Sequence, residues 1–399
     1  MSKFVGFLLV LFVLAALLRI DFFFTILYLF GAVYILSQLW ARQMLKSLRI
    51  SRDLPRRAFL GDPVTVTLRF NNVSRLPIPW LAFSESFPVI LSTPPFFRQV
   101  ITLGGKTEYK TQYTLSARKR GYYPIGPLIA ETGDLLGLKR HLTGQIEPDS
   151  LIVYPKILPI THLGLPTHSP QVVLPTPLPL FQDPARLTGV RSYRPGDNPR
   201  QLHWPASAAT GQLLVKQFQP AIARENAIFL NLSRQDYAQR GYPEPAIELA
   251  ITAAASLANH MIVVENLPVG LFTTAMDPLT EARQDFKLPP AKGRGRLMQI
   301  LEILARVQDL PEDRPFLEAV RRAAVHLSWG TTITLITGHQ SAELMQTLLW
   351  LKKSGFKVAL ALIDPPRKRA TRAETWPNLG IAVYRIRLEK EVEAWSPLP

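Results

Sequence analysis

The sequence predicts a multi-domain fold with an N-terminal transmembrane helical hairpin, an all-β immunoglobulin-like sandwich and a doubly wound α/β domain. Three observations predict it: an apolar N-terminus, a stretch of short alternating runs broken by proline, and apolar runs that alternate with amphipathic segments further on. The predicted segments are 1–40 (two transmembrane helices), 41–57 (basic juxtamembrane segment), 58–154 (β-sandwich), 155–188 (Pro-rich linker), 189–225 (polar-aromatic segment), 226–365 (α/β domain) and 366–399 (basic tail with one strand).

Two apolar runs, Phe4–Leu18 and Phe22–Leu36, are interrupted by Arg19 and Asp21. A single span needs about 20 residues, so we interpret the stretch as two short membrane helices joined by a polar turn. A signal peptide is disfavoured because a second apolar run follows and no small-residue cleavage site separates the two. A buried core hairpin is disfavoured because apolar residues cover every face of both runs.

The basic residues that follow the second run set the expected orientation. The positive-inside rule places both ends of the hairpin in the cytoplasm, so we expect a multi-pass protein of the cell membrane with cytoplasmic soluble domains. Residues 42–57 should also meet anionic lipid headgroups, although a merely solvated linker helix is an alternative. The basic residues of this flank are Arg42, Lys46, Arg49, Arg52, Arg56 and Arg57, opposed by Asp53.

The overall composition limits the chemistry. Cysteine is absent from the 399 residues, which excludes a disulfide framework, a thiolate metal site and a cysteine nucleophile. The net charge of +16 is typical of proteins that meet nucleic acid, an anionic membrane surface or an acidic partner. The basic residues are scattered and no recognised nucleic-acid motif occurs, so nucleic-acid binding is the least favoured of these.

The region after the basic flank has the period-two alternation of half-buried strands. Val64–Phe70 alternates and ends at a pair of asparagines, and Lys110–Leu115 and Tyr122–Ile129 follow the same pattern. Frequent prolines exclude a long helix here. These features favour an immunoglobulin-like sandwich, followed by an extended Pro-rich linker.

Strand-length and helix-length patterns alternate from residue 226 onwards. This alternation predicts a parallel, doubly wound sheet. The predicted strands are Ala227–Leu232, Leu267–Phe272, Thr331–Ile336, Phe356–Ile363 and Ile381–Ile386. The predicted helices are Glu244–His260, Arg296–Val307, Pro315–Leu327 and Ser341–Lys353.

A dense polar-aromatic string precedes the α/β domain. Pro195, Gly196 and Asp197 have turn chemistry, and Arg191 is positioned to form a bidentate pair with Asp197. We expect His203 and Trp204 to pack under this turn. The residues singled out are Gly189, Arg191, Tyr193, Pro195, Gly196, Asp197, His203, Trp204 and Lys216.

This string allows three interpretations. A hydrolase could use Ser207, His203 and Asp197, but no nucleophile elbow surrounds Ser207 and no oxyanion-hole glycine run is present. A hydrogen-bonded structural knot is the favoured interpretation. A recognition surface for a partner is less favoured than the knot and more favoured than the hydrolase. We therefore assign no catalytic residue.

The same string resembles the signature of the DUF58 family, and Arg120–Tyr123 and Asp134–Leu138 look like two further turns of that family. The resemblance implies two N-terminal spans, a β domain, the signature and a von Willebrand factor A-like domain. It also implies an AAA+ ATPase of the MoxR type as partner. Pro205 and Ala209 depart from the family pattern, which commonly has Lys and Arg at these positions.

Domains of the A type often bind Mg²⁺ through D-x-S-x-S after the first strand and an aspartate after a later strand. Here the corresponding residues are Asn231, Ser233, Gln235 and Gly338, none of which is a carboxylate. A hard cation needs carboxylate charge to give up its hydration shell, so we expect neither a metal nor another cofactor.

The favoured function is a membrane-tethered, non-enzymatic adaptor or scaffold that assists protein-complex assembly or maturation. A hydrolase-like enzyme that uses Asp197 and His203 is the alternative. The expected partners are the lipid bilayer and a protein, and no nucleic acid.

Overall fold

The computed structural model describes residues 2–18, 21–133, 140–161, 182–195, 197–220, 225–237, 242–311, 316–363 and 381–395. The predicted turn at Arg19, the Asp134–Leu138 motif, Gly196 and most of the Pro-rich linker and basic tail lie outside these residues. The chain divides into two compact units, Met1–Lys156 with Leu301–Val307, and Ile157–Ile300 with Gln308–Pro399.

The first unit begins with two helices, α1 (Ser2–Leu18) and α2 (Asp21–Ser47), which contact each other. The Phe7 and Phe30 rings meet edge to face, with centroids 6.0 Å apart. Large apolar side chains such as Phe12, Leu17 and Leu29 are nevertheless exposed. The two helices therefore leave most of their apolar surface without a protein partner among the described residues.

One helical stretch among the described residues is long and apolar enough to cross a membrane, and it is Pro243–Val264. Of this stretch 67% is buried, which is typical of a core helix of a globular domain. The apolar stretch Phe22–Ser37 within α2 is shorter.

The end of α2 leads directly into the β-rich region. Strand β1 begins at Leu48, immediately after the last residue of α2, and pairs antiparallel with the strand Pro63–Asn72. Trp40 packs against the β core and donates from Nε1 to the Pro77 carbonyl oxygen at 3.2 Å. The stretch predicted as a juxtamembrane segment thus contains the end of a helix and the whole of a strand.

Three sheets form the β-rich region. Their orders are β1-β3-β6, β2-β10-β7 and β5-β4-β8-β9. The strands are β1 (Leu48–Asp53), β2 (Arg57–Phe59), β3 (Pro63–Asn72), β4 (Ile78–Ser86), β5 (Phe96–Leu103), β6 (Glu108–Ser116), β7 (Gly121–Ile125), β8 (Leu128–Gly133), β9 (Arg140–Ile146) and β10 (Asp149–Tyr154).

One apolar core lies between these sheets. Val66, Leu68 and Phe70 of β3 point into it, as the alternating sequence predicts. The predicted strand Tyr122–Ile129 is instead two strands, β7 and β8. The extended strand is interrupted at Gly126, whose φ of 111° is a conformation that favours glycine.

Arg52 is buried at the centre of an ionic network in the first unit. Its Nη1 lies 2.5 Å from Glu85 Oε1, and its Nη2 lies 2.9 Å from Asp149 Oδ2. Tyr113 donates to the other oxygen of Glu85 at 2.6 Å. Burial, followed by the charge of Glu85, raises the pKa of the Tyr113 hydroxyl far above its usual range. The network therefore connects β1 to β4, β6 and β10. Because Arg52 is buried within it, Arg52 is not available to lipid headgroups.

Arg120 is a second buried arginine of the first unit. Its Nη1 donates to the carbonyl oxygens of Leu304 and Val307, at 2.9 and 2.8 Å. The arginine of the Arg120–Tyr123 motif thus satisfies backbone acceptors that an α-helix leaves unpaired at its end.

The second unit contains a six-stranded sheet of order β15-β14-β13-β16-β17-β18 and a separate hairpin of β11 and β12. The strands are β11 (Gln182–Ser192), β12 (Leu214–Pro220), β13 (Asn226–Leu230), β14 (Val269–Asp277), β15 (Ala282–Ala291), β16 (Thr332–Thr337), β17 (Lys357–Ile363) and β18 (Ala382–Ile386). The helices are α3 (Trp204–Thr210), α4 (Arg234–Tyr237), α5 (Pro243–Asn259), α6 (Arg294–Arg306, which belongs to the first unit from Leu301 onwards), α7 (Phe316–Ala324), α8 (Ala342–Lys353) and α9 (Glu389–Glu393).

The central strands of this sheet are covered on both faces. Every residue of β13 and of β16 is buried, and both strands are parallel to their neighbours β14 and β17. Helices α7 and α8 pack on one face, in a core with Phe229, Leu335 and Leu360. The predicted strands and helices of this region are all present. The antiparallel edge strand β15 was not predicted.

The order of the strands changes direction between β13 and β16. Strand β13 is followed along the chain by β14 on one side, whereas β16 lies on the other side. In open α/β sheets, ligands bind at such a switch point, outside the carboxyl ends of the strands. Asn231 and Gly338 follow β13 and β16 there.

We expect Arg52→Ala to loosen the β-rich region, because the change leaves the buried carboxylate of Glu85 without its charge partner. The free energy of unfolding should fall by about 3–5 kcal/mol. Hydrogen exchange of the full-length protein should show faster exchange in β1, β4 and β10.

The control for this change is Arg49→Ala, on an exposed position of the same strand. Its free energy of unfolding should stay within about 0.5 kcal/mol of the wild-type value, the usual range for surface substitutions. Its exchange rates should therefore remain close to those of the wild type. Equal protection of β4 in both variants would contradict the role of the network.

Candidate functional site

The described residues of the signature segment (189–225) form a hairpin with a short helix between its strands. Gly189 pairs with Gln217, Val190 with Lys216 and Arg191 with Val215. The connection contains a short 3-10 helix at Pro199–Gln201 and then α3. Helix α3 ends at Gly211, whose φ of 67° is the left-handed conformation that favours glycine at a helix end.

Arg191 and Asp197 form the bidentate ion pair that the sequence predicts. Nη1 and Nη2 of the guanidinium lie 2.7 and 2.6 Å from the two carboxylate oxygens. The Arg194 amide also donates to Asp197 at 2.9 Å, and the Asp197 amide donates to the Arg194 carbonyl at 3.0 Å. The bond from Arg191, followed by that from the Arg194 amide, lowers the pKa of Asp197 to about 2. The turn is therefore locked at any physiological pH.

His203 caps the start of α3. Its Nδ1 accepts a hydrogen bond from the Ala206 amide at 3.1 Å, which satisfies one of the free amides of the first helical turn. Its own amide donates to the Leu214 carbonyl oxygen at 2.8 Å. His203 thus fixes both the start of the helix and its position against β12.

Ser207 connects α3 to β12. Its Oγ accepts from the Leu214 amide at 2.9 Å and lies 3.5 Å from the Leu214 carbonyl oxygen. The side chain is buried, so the hydroxyl replaces water for an otherwise unpaired strand amide.

These bonds disfavour the hydrolase interpretation. In a Ser-His-Asp site the histidine donates from Nδ1 to the aspartate and accepts the serine proton at Nε2. Here Nδ1 is an acceptor, Asp197 is paired with Arg191, and Ser207 bonds to the backbone. Across the described part of the signature, no hydrogen bond joins any two of these three side chains.

The expectation that Trp204 packs under the turn is wrong. Helix α3 begins at Trp204, and its side chain is 66% exposed. Leu213 and Val190 are exposed apolar residues of the same hairpin. We refer to Val190, Trp204 and Leu213 as the signature face. His203, which caps the same helix, is half-buried.

A second polar cluster lies at the carboxyl ends of β13 and β16. The amide nitrogen of Asn231 donates to Asp236 and, at 3.1 Å, to Thr337 Oγ1. Its amide oxygen accepts from the Ser233 backbone nitrogen at 3.0 Å. The side-chain amide of Asn231 therefore has protein partners for both its nitrogen and its oxygen. Its NH₂ group faces the oxygens of Asp236 and Thr337, which are the kind of atoms that a cation would bind.

The other predicted positions differ in their environment. Gln235 is exposed, and Ser233 Oγ is buried without a hydrogen-bond partner in the described part of the chain. A Cβ at Gly338 would clash with the ring of Tyr237 and the carbonyl of Asp236, so only glycine fits this position. Tyr237 in turn donates to the Asn231 carbonyl oxygen at 2.8 Å.

Asp236 belongs to this polar cluster, although the sequence pattern does not indicate it. It lies in α4, directly after Gln235, the last position that a D-x-S-x-S motif would occupy. Its carboxylate is bonded to the Asn231 amide rather than left open. Within the described residues, no group of three or more His, Cys, Asp or Glu side chains is arranged to hold a metal ion.

The chain thus combines a β-rich region with a mixed α/β region, and the α/β region carries a rigid signature hairpin. Residues 189–372 match the family described as "Protein of unknown function DUF58". The protein described as "Uncharacterized protein YeaD" of Bacillus subtilis (strain 168) is 24% identical over 278 residues. That match covers 65% of this chain and 65% of that protein, slightly less than two thirds of its length.

Two solved structures are similar over 27% of this chain. The CARDB domain of PF1109 from Pyrococcus furiosus is 12% identical, with 86% of its chain covered and a TM-score of 0.21. A cohesin module from Clostridium perfringens is 10% identical, with 96% covered and a TM-score of 0.22. These values are too low to support an argument about fold or function.

We expect Asn231→Asp to convert the saturated cluster into a site that needs a cation. The new carboxylate would face that of Asp236, so the variant should lose about 1–3 kcal/mol of stability. Because the carboxylates and hydroxyls then resemble Mg²⁺ ligands, MgCl₂ should restore its melting temperature.

The wild-type protein and Asn266→Asp, which changes an exposed asparagine, are the controls in this thermal-melting experiment. Neither should respond to MgCl₂ at constant ionic strength. A wild-type melting temperature that rises with MgCl₂ as much as that of Asn231→Asp would show that the native cluster binds the ion.

Proposed function

We propose that this protein is a membrane-tethered, non-enzymatic adaptor whose signature face binds a protein partner. The observation that carries the proposal is Trp204, a tryptophan that is 66% exposed at the start of a rigidly held helix. Tryptophan is the residue type most enriched among side chains that dominate binding energy at interfaces. An ordered backbone beneath it lowers the entropic cost of binding.

The polar residues of the signature support this role rather than a chemical one. Arg191 and Asp197 fix the turn, His203 caps α3, and Ser207 attaches the helix to β12. Each of these groups is engaged with the protein itself. They therefore act as a frame that presents the exposed apolar residues at a defined position.

The membrane tether rests on α1 and α2. Both helices expose apolar side chains on surfaces that no described residue covers, and water would solvate such surfaces poorly. Arg49 and Arg56, which follow α2, are exposed, so both can meet anionic headgroups. The positive-inside rule then orients the two units towards the cytoplasm.

The domain types and the partner follow from the family resemblance. The antiparallel strand pairs of the β-rich region support an immunoglobulin-like sandwich. The strand order of the α/β region supports a von Willebrand factor A-like domain. The partner that this resemblance implies is a MoxR-type AAA+ ATPase. The adaptor would assist the assembly or maturation of a protein complex at the membrane.

The proposal predicts that Trp204→Ala weakens binding to a purified MoxR-type ATPase of the same organism by about 30-fold or more, the effect of losing an interface hot spot. The affinity is measured with the full-length protein in nanodiscs. Because Trp204 is exposed, its melting temperature should stay unchanged.

Trp350→Ala, which removes an exposed tryptophan of α8, is the matched control and should bind like the wild type. Equal binding by both variants would contradict the signature face. Failure of the wild type to bind the ATPase would refute this partner.

The membrane tether predicts that the full-length protein stays in the membrane pellet after alkaline carbonate extraction. Introducing Phe12→Arg and Leu29→Arg together should release it, since each charge costs about 2.5–3.5 kcal/mol in a membrane helix. Val89→Arg with Val100→Arg, at exposed positions outside both helices, is the control and should remain membrane-bound. Extraction of the wild type by carbonate would contradict the tether.

A further inference from the structure

The second unit contains a cavity of about 720 Å³ between α7 and strands β13–β15. This volume is within the range of small-molecule sites, about 300–1,000 Å³. Its floor is aromatic: the Phe229 and Phe272 rings stack with centroids 4.8 Å apart and planes at 15°. Phe316, at the start of α7, also lines the cavity. Phe229 is buried beneath Phe272, so the half-buried Phe272 ring is the part of this pair that can meet a ligand.

The wall of the cavity contains two acidic groups, Asp285 and Glu225. Asp285 accepts from Thr274 Oγ1 at 2.8 Å, and its other oxygen lies 3.9 Å from Lys287 Nζ. The Thr331 hydroxyl lies 3.4 Å from Glu225 but donates its one proton to the Ser328 carbonyl oxygen at 2.7 Å. The carboxylate of Asp285 is thus partly satisfied by the protein.

Arg322 is the basic group of the wall without such a partner. Arg322 is exposed, lines the cavity and makes no hydrogen bond or ion pair with any described residue. His326, four residues later and just beyond the end of α7, lines the same side. A guanidinium carries five donors and no acceptor, and it matches a planar carboxylate in a bidentate geometry.

We propose that this cavity binds an apolar organic anion, whose planar body packs on Phe272 and whose carboxylate pairs with Arg322. A site of this kind combines a mostly apolar lining with one charged group that fixes the orientation of the ligand. It lies on a different part of the α/β region from the signature face, and it does not depend on the adaptor role.

The test uses 2-naphthoate, neutral 2-naphthamide and the cation 2-naphthylmethylammonium as probes, with the full-length protein in nanodiscs. Binding is measured by ligand-detected NMR. The wild type should bind naphthoate saturably and more tightly than either other probe. Arg322→Gln should weaken naphthoate binding by about tenfold, the effect of losing one charge-assisted hydrogen bond, and change naphthamide binding by less than about twofold.

Two further variants complete the test. Arg283→Gln, at an exposed position of β15 outside the cavity, controls for general charge and should behave like the wild type. Phe272→Leu keeps an apolar side chain but removes the stacked ring, so it should weaken both naphthoate and naphthamide. Partition of the probes into lipid is equal for all variants, so differences between variants report the cavity.

Three results would overturn the proposal. They are tighter binding of the cation than of the anion, equal naphthoate binding by Arg322→Gln and the wild type, and no saturable binding of any probe. The melting temperature of Arg322→Gln should match that of the wild type, because the side chain is exposed and unpaired. A change in affinity then reflects the lost charge rather than a misfolded cavity.

Discussion

The bidentate pair between Arg191 and Asp197 is the interaction on which the candidate site depends. It closes the turn between β11 and α3, and the hydrogen bonds of Asp197 with Arg194 hold the same turn from its backbone. With the turn closed, the His203 amide reaches the Leu214 carbonyl and α3 lies against β12. The orientation of Trp204 follows from these bonds, since the tryptophan is the first residue of that helix.

The polar cluster at the switch point of the sheet follows a comparable logic. Open α/β sheets leave polar groups at the carboxyl ends of their strands, where ligands usually satisfy them. In this protein the side-chain amide of Asn231 donates hydrogen bonds to Asp236 and Thr337, where a ligand would otherwise bind. An amide can donate two hydrogen bonds at once, so the one side chain of Asn231 pairs with both neighbouring oxygens. The sheet thus retains the geometry of a ligand site while its own side chains fill the centre.

Much of the α/β region could be predicted from the sequence because its strands are short, apolar and separated by amphipathic helices. Strand β15 was missed because four of its first five residues are exposed and it contains Pro289 and Pro290, so it has no apolar period. The Arg191–Asp197 pair was predictable because the two residue types have one preferred geometry and lie six residues apart.

Other features depend on tertiary contacts that no local pattern contains. Arg52 looks like one more residue of a basic flank, yet it is buried because Glu85 and Asp149 meet it from distant strands. The sequence suggests that Trp204 packs under the turn, but at the start of α3 it is exposed to the solvent. Asp236 reaches Asn231 because α4 begins within the loop, which the spacing of the motif did not indicate.

Our proposal is that the polar residues of the signature act as a frame rather than as catalytic groups. Its most direct test replaces His203 by asparagine, which can also cap a helix, and by alanine, which cannot. The affinity for the partner and the melting temperature are measured for both full-length variants. Our account predicts that His203→Asn retains wild-type values in both measurements, whereas His203→Ala loses about 1 kcal/mol of stability and binds more weakly. A folded His203→Asn protein that is as defective as His203→Ala would show that the imidazole itself is required, and would contradict the account.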